Sequence, residues 1–88
     1  MTSKERARLK SLASTADTIV QIGKSGITEN VVASVDAALT ARELVKGKVL
    51  ESSMLPAREA CEQLAEALGA EAVQAIGTKF VLYRRKPE

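Results

Sequence analysis

The chain contains no histidine and a single cysteine, and both shortages limit the chemistry available to it. Without histidine it cannot form a catalytic triad that relies on imidazole, and with one cysteine it lacks the usual ligand sets for zinc. Cys61 has no partner for an internal disulfide, and its position on an apolar helix stripe predicts a small buried hydrophobe. We therefore expect no metal site, no cofactor and no enzymatic activity.

Aromatic residues and long apolar runs are also scarce. Phe80 and Tyr83 are the only aromatic residues, so the core must be aliphatic and a platform that stacks several bases is excluded. No apolar run approaches the roughly 20 residues that a membrane-spanning helix needs. The charged N-terminus lacks the apolar segment of a signal peptide. These absences predict a soluble, cytoplasmic protein with no membrane partner.

The charges are unevenly distributed along the 88 residues, a length that predicts one domain. The net charge is only +2. Both ends are basic, whereas the segment 51–71 holds five glutamates and a single basic residue, Arg58. This pattern indicates a two-faced electrostatic surface. A basic face suits an anionic partner, although charged helix faces often serve only to solvate a protein.

Hydrophobic periodicity and capping residues predict the element order α-β-α-β-α-β-β. Thr2 and Thr28 are suited to cap the first two helices, and Gly77-Thr78 to form a tight hairpin turn. The alternation of helices and strands favours right-handed crossovers and mainly parallel pairing, with one antiparallel strand from the final hairpin. The fold class is therefore α/β (α+β), with helices packed on a four-stranded mixed sheet. Helices are predicted over residues 2–15, 28–42 and 56–68, and strands over 18–22, 44–50, 71–76 and 79–85.

Four positions carry local predictions of their own. Pro56 is suited to the first position of the third helix. Gly47 interrupts the second strand, which indicates a bulge or the close approach of another group. Lys46 and Lys48 flank it two residues apart, so their side chains should lie on the same face of that strand.

The segment Gly23-Lys24-Ser25-Gly26 joins the first predicted strand to the second predicted helix. Glycine permits a positive φ and the close approach of another backbone. The N-terminus of the following helix offers unpaired N–H groups and the positive end of the helix dipole, which together favour a phosphate. Lys24 adds a full positive charge at the same place. The loop therefore suits a nucleic-acid backbone or another phosphate.

Three interpretations of this loop compete. A mononucleotide P-loop requires a glycine five residues before Gly23, where this chain has Thr18, and no later strand ends in an obvious magnesium-binding aspartate. A tight turn that happens to use two glycines is common. The third interpretation is a nucleic-acid clamp like the GXXG loop of KH domains, which holds a sugar-phosphate backbone. With so few aromatic residues, such a clamp would read the backbone and shape of RNA rather than its bases.

Taken together, four segments give the chain a resemblance to a known family. The segments are LKSLA at 9–13, IVQIGKSGIT at 19–28, ARELVK at 41–46 and QAIGTKFVLYR at 74–84. The chain resembles the YhbY-like family, also called the CRM domain (chloroplast RNA splicing and ribosome maturation). The resemblance implies a fold like the C-terminal domain of translation initiation factor three. It also implies RNA contact by Gly23, Lys24, Ser25 and Gly26.

Stand-alone bacterial members of this family associate with precursors of the large ribosomal subunit, and this short chain looks like that type. We therefore expect a monomeric RNA-binding protein that assists ribosome assembly on rRNA, with contacts to ribosomal proteins as a further expectation. The alternative is a protein-interaction module that uses the acidic third helix and touches RNA incidentally. The predicted RNA-binding residues are Gly23, Lys24, Ser25, Gly26, Ile27, Thr28, Lys4, Arg6, Arg8 and Lys10, with Lys46, Lys48, Arg84, Arg85 and Lys86 as secondary candidates.

Overall fold

The structure is a computed structural model that describes residues 2–16 and 18–85, and it has the predicted order of helices and strands. A single 3₁₀ turn, Glu51–Ser53, is added between the second strand and the third helix in this part of the chain. The α-helices and strands are α1 (Ser3–Ser14), β1 (Val20–Ile22), α2 (Glu29–Arg42), β2 (Leu44–Val49), α3 (Ala57–Leu68), β3 (Glu71–Ile76) and β4 (Lys79–Tyr83).

The predicted helix caps are present, with one shift. The Thr2 hydroxyl accepts a hydrogen bond from the N–H of Glu5 at 3.1 Å, and the Thr28 hydroxyl accepts one from Val31 at 3.2 Å. Each bond satisfies an N–H that the first helical turn leaves free. Pro56 was expected as the first residue of α3, but it precedes that residue. Its φ of −61° suits a helix, whereas its ψ of 142° is extended.

The mixed sheet has the strand order β1-β2-β4-β3. The expectation of mainly parallel pairing is wrong, because only β1 and β2 pair in parallel among the described strands. The tight turn at Gly77 and Thr78 folds β4 back between β3 and β2, so β4 is antiparallel to both neighbours. Three strands are also shorter than predicted, since β1 spans Val20–Ile22, β2 ends at Val49 and β4 ends at Tyr83.

The helices cover the two faces of the sheet differently. Helices α2 and α3 pack on one face, around buried residues that include Leu39, Leu64 and Phe80. Helix α1 packs on the other face through Leu9 and Ala13, against smaller apolar side chains of β3 and β4. The alternating burial along β2 confirms that Val45, Gly47 and Val49 face α2 and α3, and that Lys46 and Lys48 face the α1 side.

A bulge in β3 decides which of its residues face α1. The register slips between Ala72 and Gln74, so Gln74 pairs with Val81 and Ile76 pairs with Lys79. A bulge adds one unpaired residue to a strand, here Val73, which is buried beneath α1. Because paired residues of antiparallel strands share a face, the slip places Ile76 on the α1 side of the sheet.

Candidate nucleic-acid interface

The GXXG loop, residues 23–26, forms a closed turn at the carboxyl end of β1. The N–H of Gly26 donates a hydrogen bond to the carbonyl of Gly23 at 2.9 Å. Lys24 and Ser25 lie between them, and both are exposed. The loop therefore presents an ammonium group and a hydroxyl to solvent immediately before the start of α2.

The fold requires glycine at only one of the two glycine positions in the loop. Gly26 has a φ of +70°, a conformation that other residues adopt only with strain. Gly23 has no such requirement: a side-chain carbon built there would meet only the Leu50 Cδ1 atom, at an ordinary 3.8 Å. The fold thus explains the glycine at 26 but not the glycine at 23. A glycine at 23 would be explained if another molecule came close to the backbone there.

The start of α2 leaves backbone donors free beside the loop. Across the described residues, the N–H groups of Ile27 and Thr28 donate no hydrogen bond to another protein group. The dipole of the helix Glu29–Arg42 adds partial positive charge there, although the exposed carboxylate of Glu29 opposes it. Free N–H donors next to a lysine are suited to an anion such as a phosphate.

The basic residues of α1 are all exposed, but they do not form one patch with the loop. Arg8 lines a cavity of about 390 Å³ with Glu5 and Arg85, at the end of the sheet where β2 begins and β4 ends. Lys4 and Arg6 lie on the helical turns before Arg8. Lys10 lies further along and lines a separate groove with the side chains of β2, β3 and β4. Lys10 is therefore the α1 cation on the loop side of the molecule.

Lys46 and Lys48 share a face, as predicted, but have different surroundings. The Lys46 ammonium donates a hydrogen bond to the carbonyl of Ala13 at 3.2 Å, which ties β2 to the last turn of α1. Lys48 lies beyond the end of that helix and pairs in register with Lys79 of β4. This part of β2 adjoins the GXXG loop, because the N–H of Leu50 donates to the carbonyl of Ile22 at 2.8 Å.

Arg84 is held within the protein rather than presented with the loop. Its guanidinium lies 2.8 Å from the Asp36 carboxylate and donates to the carbonyl of Leu68 at 3.1 Å and to the Thr40 hydroxyl at 3.0 Å. These contacts join β4 to α2 and α3. Arg85 follows at the same end of the sheet, away from the loop. Lys86 lies outside the described residues.

Other kinds of site find little support in the described residues. No helix among them is long and apolar enough to cross a membrane, and no group of three or more His, Cys, Asp or Glu side chains in those residues could hold a metal ion. Cys61 is buried, which confirms its role as a core residue. Burial raises the pKa of its thiol to about 11, so it is protonated at neutral pH and a poor nucleophile.

Comparison with known proteins identifies the family to which this fold and loop belong. The family described as CRS1 / YhbY (CRM) domain matches residues 1–84. This chain therefore belongs to the CRS1 / YhbY (CRM) domain family, which confirms the resemblance seen in its sequence motifs.

Individual relatives match over the full length of the chain. It is 34% identical over 88 residues to the "Probable RNA-binding protein YqeI" of Bacillus subtilis, covering 100% of this chain and 92% of that one. It is 33% identical to an "RNA-binding protein" of Haemophilus influenzae, with coverage of 100% and 89%. The solution structure of the hypothetical protein SAV1595 from Staphylococcus aureus superposes with a TM-score of 0.79 at 40% identity, again covering 100% of this chain and 92% of the other.

Proposed function

We propose that this protein binds RNA through its GXXG loop and, as a non-enzymatic factor of the cytoplasm, assists assembly of the large ribosomal subunit on precursor rRNA. RNA binding is supported by the family and by the names of the relatives from B. subtilis and H. influenzae. The ribosomal target rests on the resemblance to stand-alone bacterial members of the family. Residues of the loop and of the α2 start carry the contact.

The single observation that carries the proposal is the glycine at 23. Its φ is not positive, and a side chain there would meet no obstacle within the protein. A phosphate backbone lying against the loop gives this glycine a purpose, because a missing side chain lets the two backbones approach closely. Lys24 then pairs with a phosphate, and the exposed hydroxyl of Ser25 donates a hydrogen bond to it.

The remaining loop residues complete the proposed contact. Gly26 provides the positive φ that turns the chain toward α2. The free N–H groups of Ile27 and Thr28 face the phosphate at the helix N-terminus. Of the α1 residues predicted to bind RNA, Lys10 is the nearest to the loop. Lys4, Arg6 and Arg8 extend the basic surface further from the loop.

Crosslinking in cells tests the target. A tagged copy of the protein would be irradiated in cells of the source organism, and the RNA attached to it would be sequenced. The proposal predicts enrichment of precursor large-subunit rRNA with the native chain, and loss of that enrichment when Lys24 and Ser25 are both changed to aspartate. Equal recovery of unrelated transcripts by both proteins would contradict it.

A protein-interaction role is the second candidate, and the exposed face of α3 favours it. Glu59, Glu62 and Glu66 are exposed on that helix, on the side opposite its buried apolar stripe. An interface of this kind would bind a basic ribosomal protein. Changing these three glutamates to glutamine separates the two roles, because it would weaken binding to a basic protein and leave phosphate-led RNA binding at the loop unchanged.

A further inference from the structure

Beyond the end of α1, one row of side chains crosses the uncovered part of the sheet, from one edge strand to the other. Gln21 of β1 pairs with Lys48 of β2, Lys48 pairs with Lys79 of β4, and Lys79 pairs with Ile76 of β3. We call these four side chains the open row. All four lie on the α1 side of the sheet, and none of them is buried.

The open row places two like charges directly opposite each other. The Cβ atoms at paired positions of antiparallel strands lie about 5 Å apart, and like charges directly opposite each other destabilise a sheet. Within residues 2–16 and 18–85, neither Lys48 nor Lys79 forms an ion pair with a carboxylate. Among the described residues nothing offsets this repulsion, whereas an anionic ligand would remove it.

The surroundings of the row are basic as well. A groove of about 190 Å³ runs beside it, between the last turns of α1 and the strands. Among the residues that the structure describes, Lys10, Lys46 and Lys79 line this groove, and no carboxylate does so. Ile76, with 64% of its surface exposed, adds an apolar wall beside these charges. Cations next to an exposed apolar side chain suit a ligand that combines phosphates with less polar sugars and bases.

The row also adjoins the GXXG loop. Ile22, the last residue of β1, is followed at once by Gly23, and the row begins one residue earlier, at Gln21. The row spans three gaps between strands, or about 14 Å in total. A strand of RNA held at Lys24 can therefore continue across the sheet over Lys48 and Lys79.

We infer that the open row is a second RNA contact, which takes a single strand as it leaves the GXXG loop and holds its phosphates with Lys48 and Lys79. The inference rests on the proposed RNA-binding function and adds the path and the form of the RNA. Exposed Ile76 offers an apolar contact to an unpaired base or sugar, which a stacked and paired duplex does not present in the same way, so we assign a single-stranded segment. Lys79 is a newly assigned contact, and Ile76 packs against the sugar or base between two phosphates.

The test measures binding of a fluorescently labelled single-stranded fragment of precursor large-subunit rRNA over a series of salt concentrations. The variant is Lys48→Gln with Lys79→Gln, and the matched control is Arg42→Gln with Arg58→Gln, which removes the same charge from exposed positions outside the row. Each phosphate contact to a single strand contributes about 0.7 to the slope of log affinity against log salt. We expect the row variant to lower the slope by about 1.4 and the affinity by about tenfold or more at roughly 0.1 M salt.

The thermal unfolding temperature gives an independent readout. Removal of the opposed lysines should raise this temperature while it weakens RNA binding, an opposite pair of changes that a purely structural role would not produce. Lys48→Arg with Lys79→Arg keeps both charges and should retain binding. Annealing the RNA fragment to its complementary strand should weaken its binding to the protein.

The outcomes separate the two proposals. If the native chain binds and the row variant binds equally well with an unchanged slope, the open row is not a contact while the GXXG proposal stands. If the native chain does not bind the fragment at any salt concentration, the proposed function fails and the row fails with it. If the duplex binds as tightly as the single strand, the assigned form of the RNA is wrong.

Discussion

Gly47 lies directly opposite Phe80 in the antiparallel pair of β2 and β4, and the Phe80 ring occupies the space that a side chain at 47 would take. A carbon built on Gly47 would lie 2.3 Å from the ring's Cζ atom. Phe80 has no exposed surface and is the largest of the fully buried side chains among the described residues. The only phenylalanine of the sequence thus fills the core across a glycine.

Replacing Gly47 with alanine should therefore destabilise the fold strongly. The added methyl group forces the ring or the strand to move, and overpacking of this kind costs about 1–3 kcal/mol, so we expect about 3 kcal/mol. Denaturant unfolding measures the loss. Phe80→Leu should then cost less in the Gly47→Ala background than in the native chain, because it relieves the clash. If Phe80→Leu costs the same unfolding free energy in both backgrounds, the clash with the Phe80 ring is not what destabilises Gly47→Ala.

Gly23→Ala should leave the fold intact but weaken RNA binding. The new methyl group has room within the protein, at 3.8 Å from Leu50, so the free energy of unfolding should change by less than about 0.5 kcal/mol. A methyl group between the loop and a phosphate backbone would disturb hydrogen bonds to a charged group, a loss of about 1.5 kcal/mol or roughly tenfold in affinity. Titration of labelled RNA measures it, and an unchanged affinity would contradict close approach at Gly23.

Arg84 is expected to contribute to stability rather than to RNA affinity. Arg84→Lys keeps the charge but loses the planar fork that reaches Asp36, Leu68 and Thr40 together. We expect a loss of about 1–2 kcal/mol in unfolding free energy and no change in RNA affinity. Arg85→Lys is the matched control, since Arg85 is exposed. If both variants unfold alike, the internal role of Arg84 is wrong.

The Cys61 thiol should make stability depend on alkaline pH. Burial raises its pKa from 9.0 to about 11 in the folded protein. Below pH 9 the thiol holds its proton in both states, and between pH 9 and 11 only the unfolded chain loses it, so stability falls as the pH rises through that range. The full effect is on the order of 2 kcal/mol. Between pH 9 and 11 the unfolding free energy of the native chain should thus fall more steeply than that of Cys61→Ala. The same dependence on pH in both proteins would contradict the raised pKa of the thiol.

Local features of this fold are readable from the sequence because neighbouring residues determine them. Thr2 and Thr28 cap their helices through hydrogen bonds to residues three positions later. The lysines at 46 and 48 share a face because strand side chains alternate. The position of the GXXG loop between β1 and α2 follows from the same local patterns, and so does the set of donors that it presents.

Features that depend on distant parts of the chain are not readable in this way. The alternation of helices and strands favours parallel pairing, but the β4 hairpin inserts next to β2 and makes most of the sheet antiparallel. No residue pattern indicates the β3 bulge, which brings Ile76 to the α1 side beside Lys79. Arg84 was a candidate RNA contact as part of a basic terminus, and only the packing of α2 and α3 reveals its internal partners.

We propose that the GXXG loop holds an RNA phosphate, and the salt dependence of RNA binding is the experiment that decides this. The native chain would be compared with Lys24→Asp plus Ser25→Asp, and with Arg58→Asp plus Gln63→Asp, which make the same change in charge at exposed positions on α3. All three must first unfold with the same midpoint. We expect the loop variant to lose most of its affinity and about 0.7 of the salt slope, while the α3 variant retains both. Equal binding by the two variants would show that the loop is only a turn.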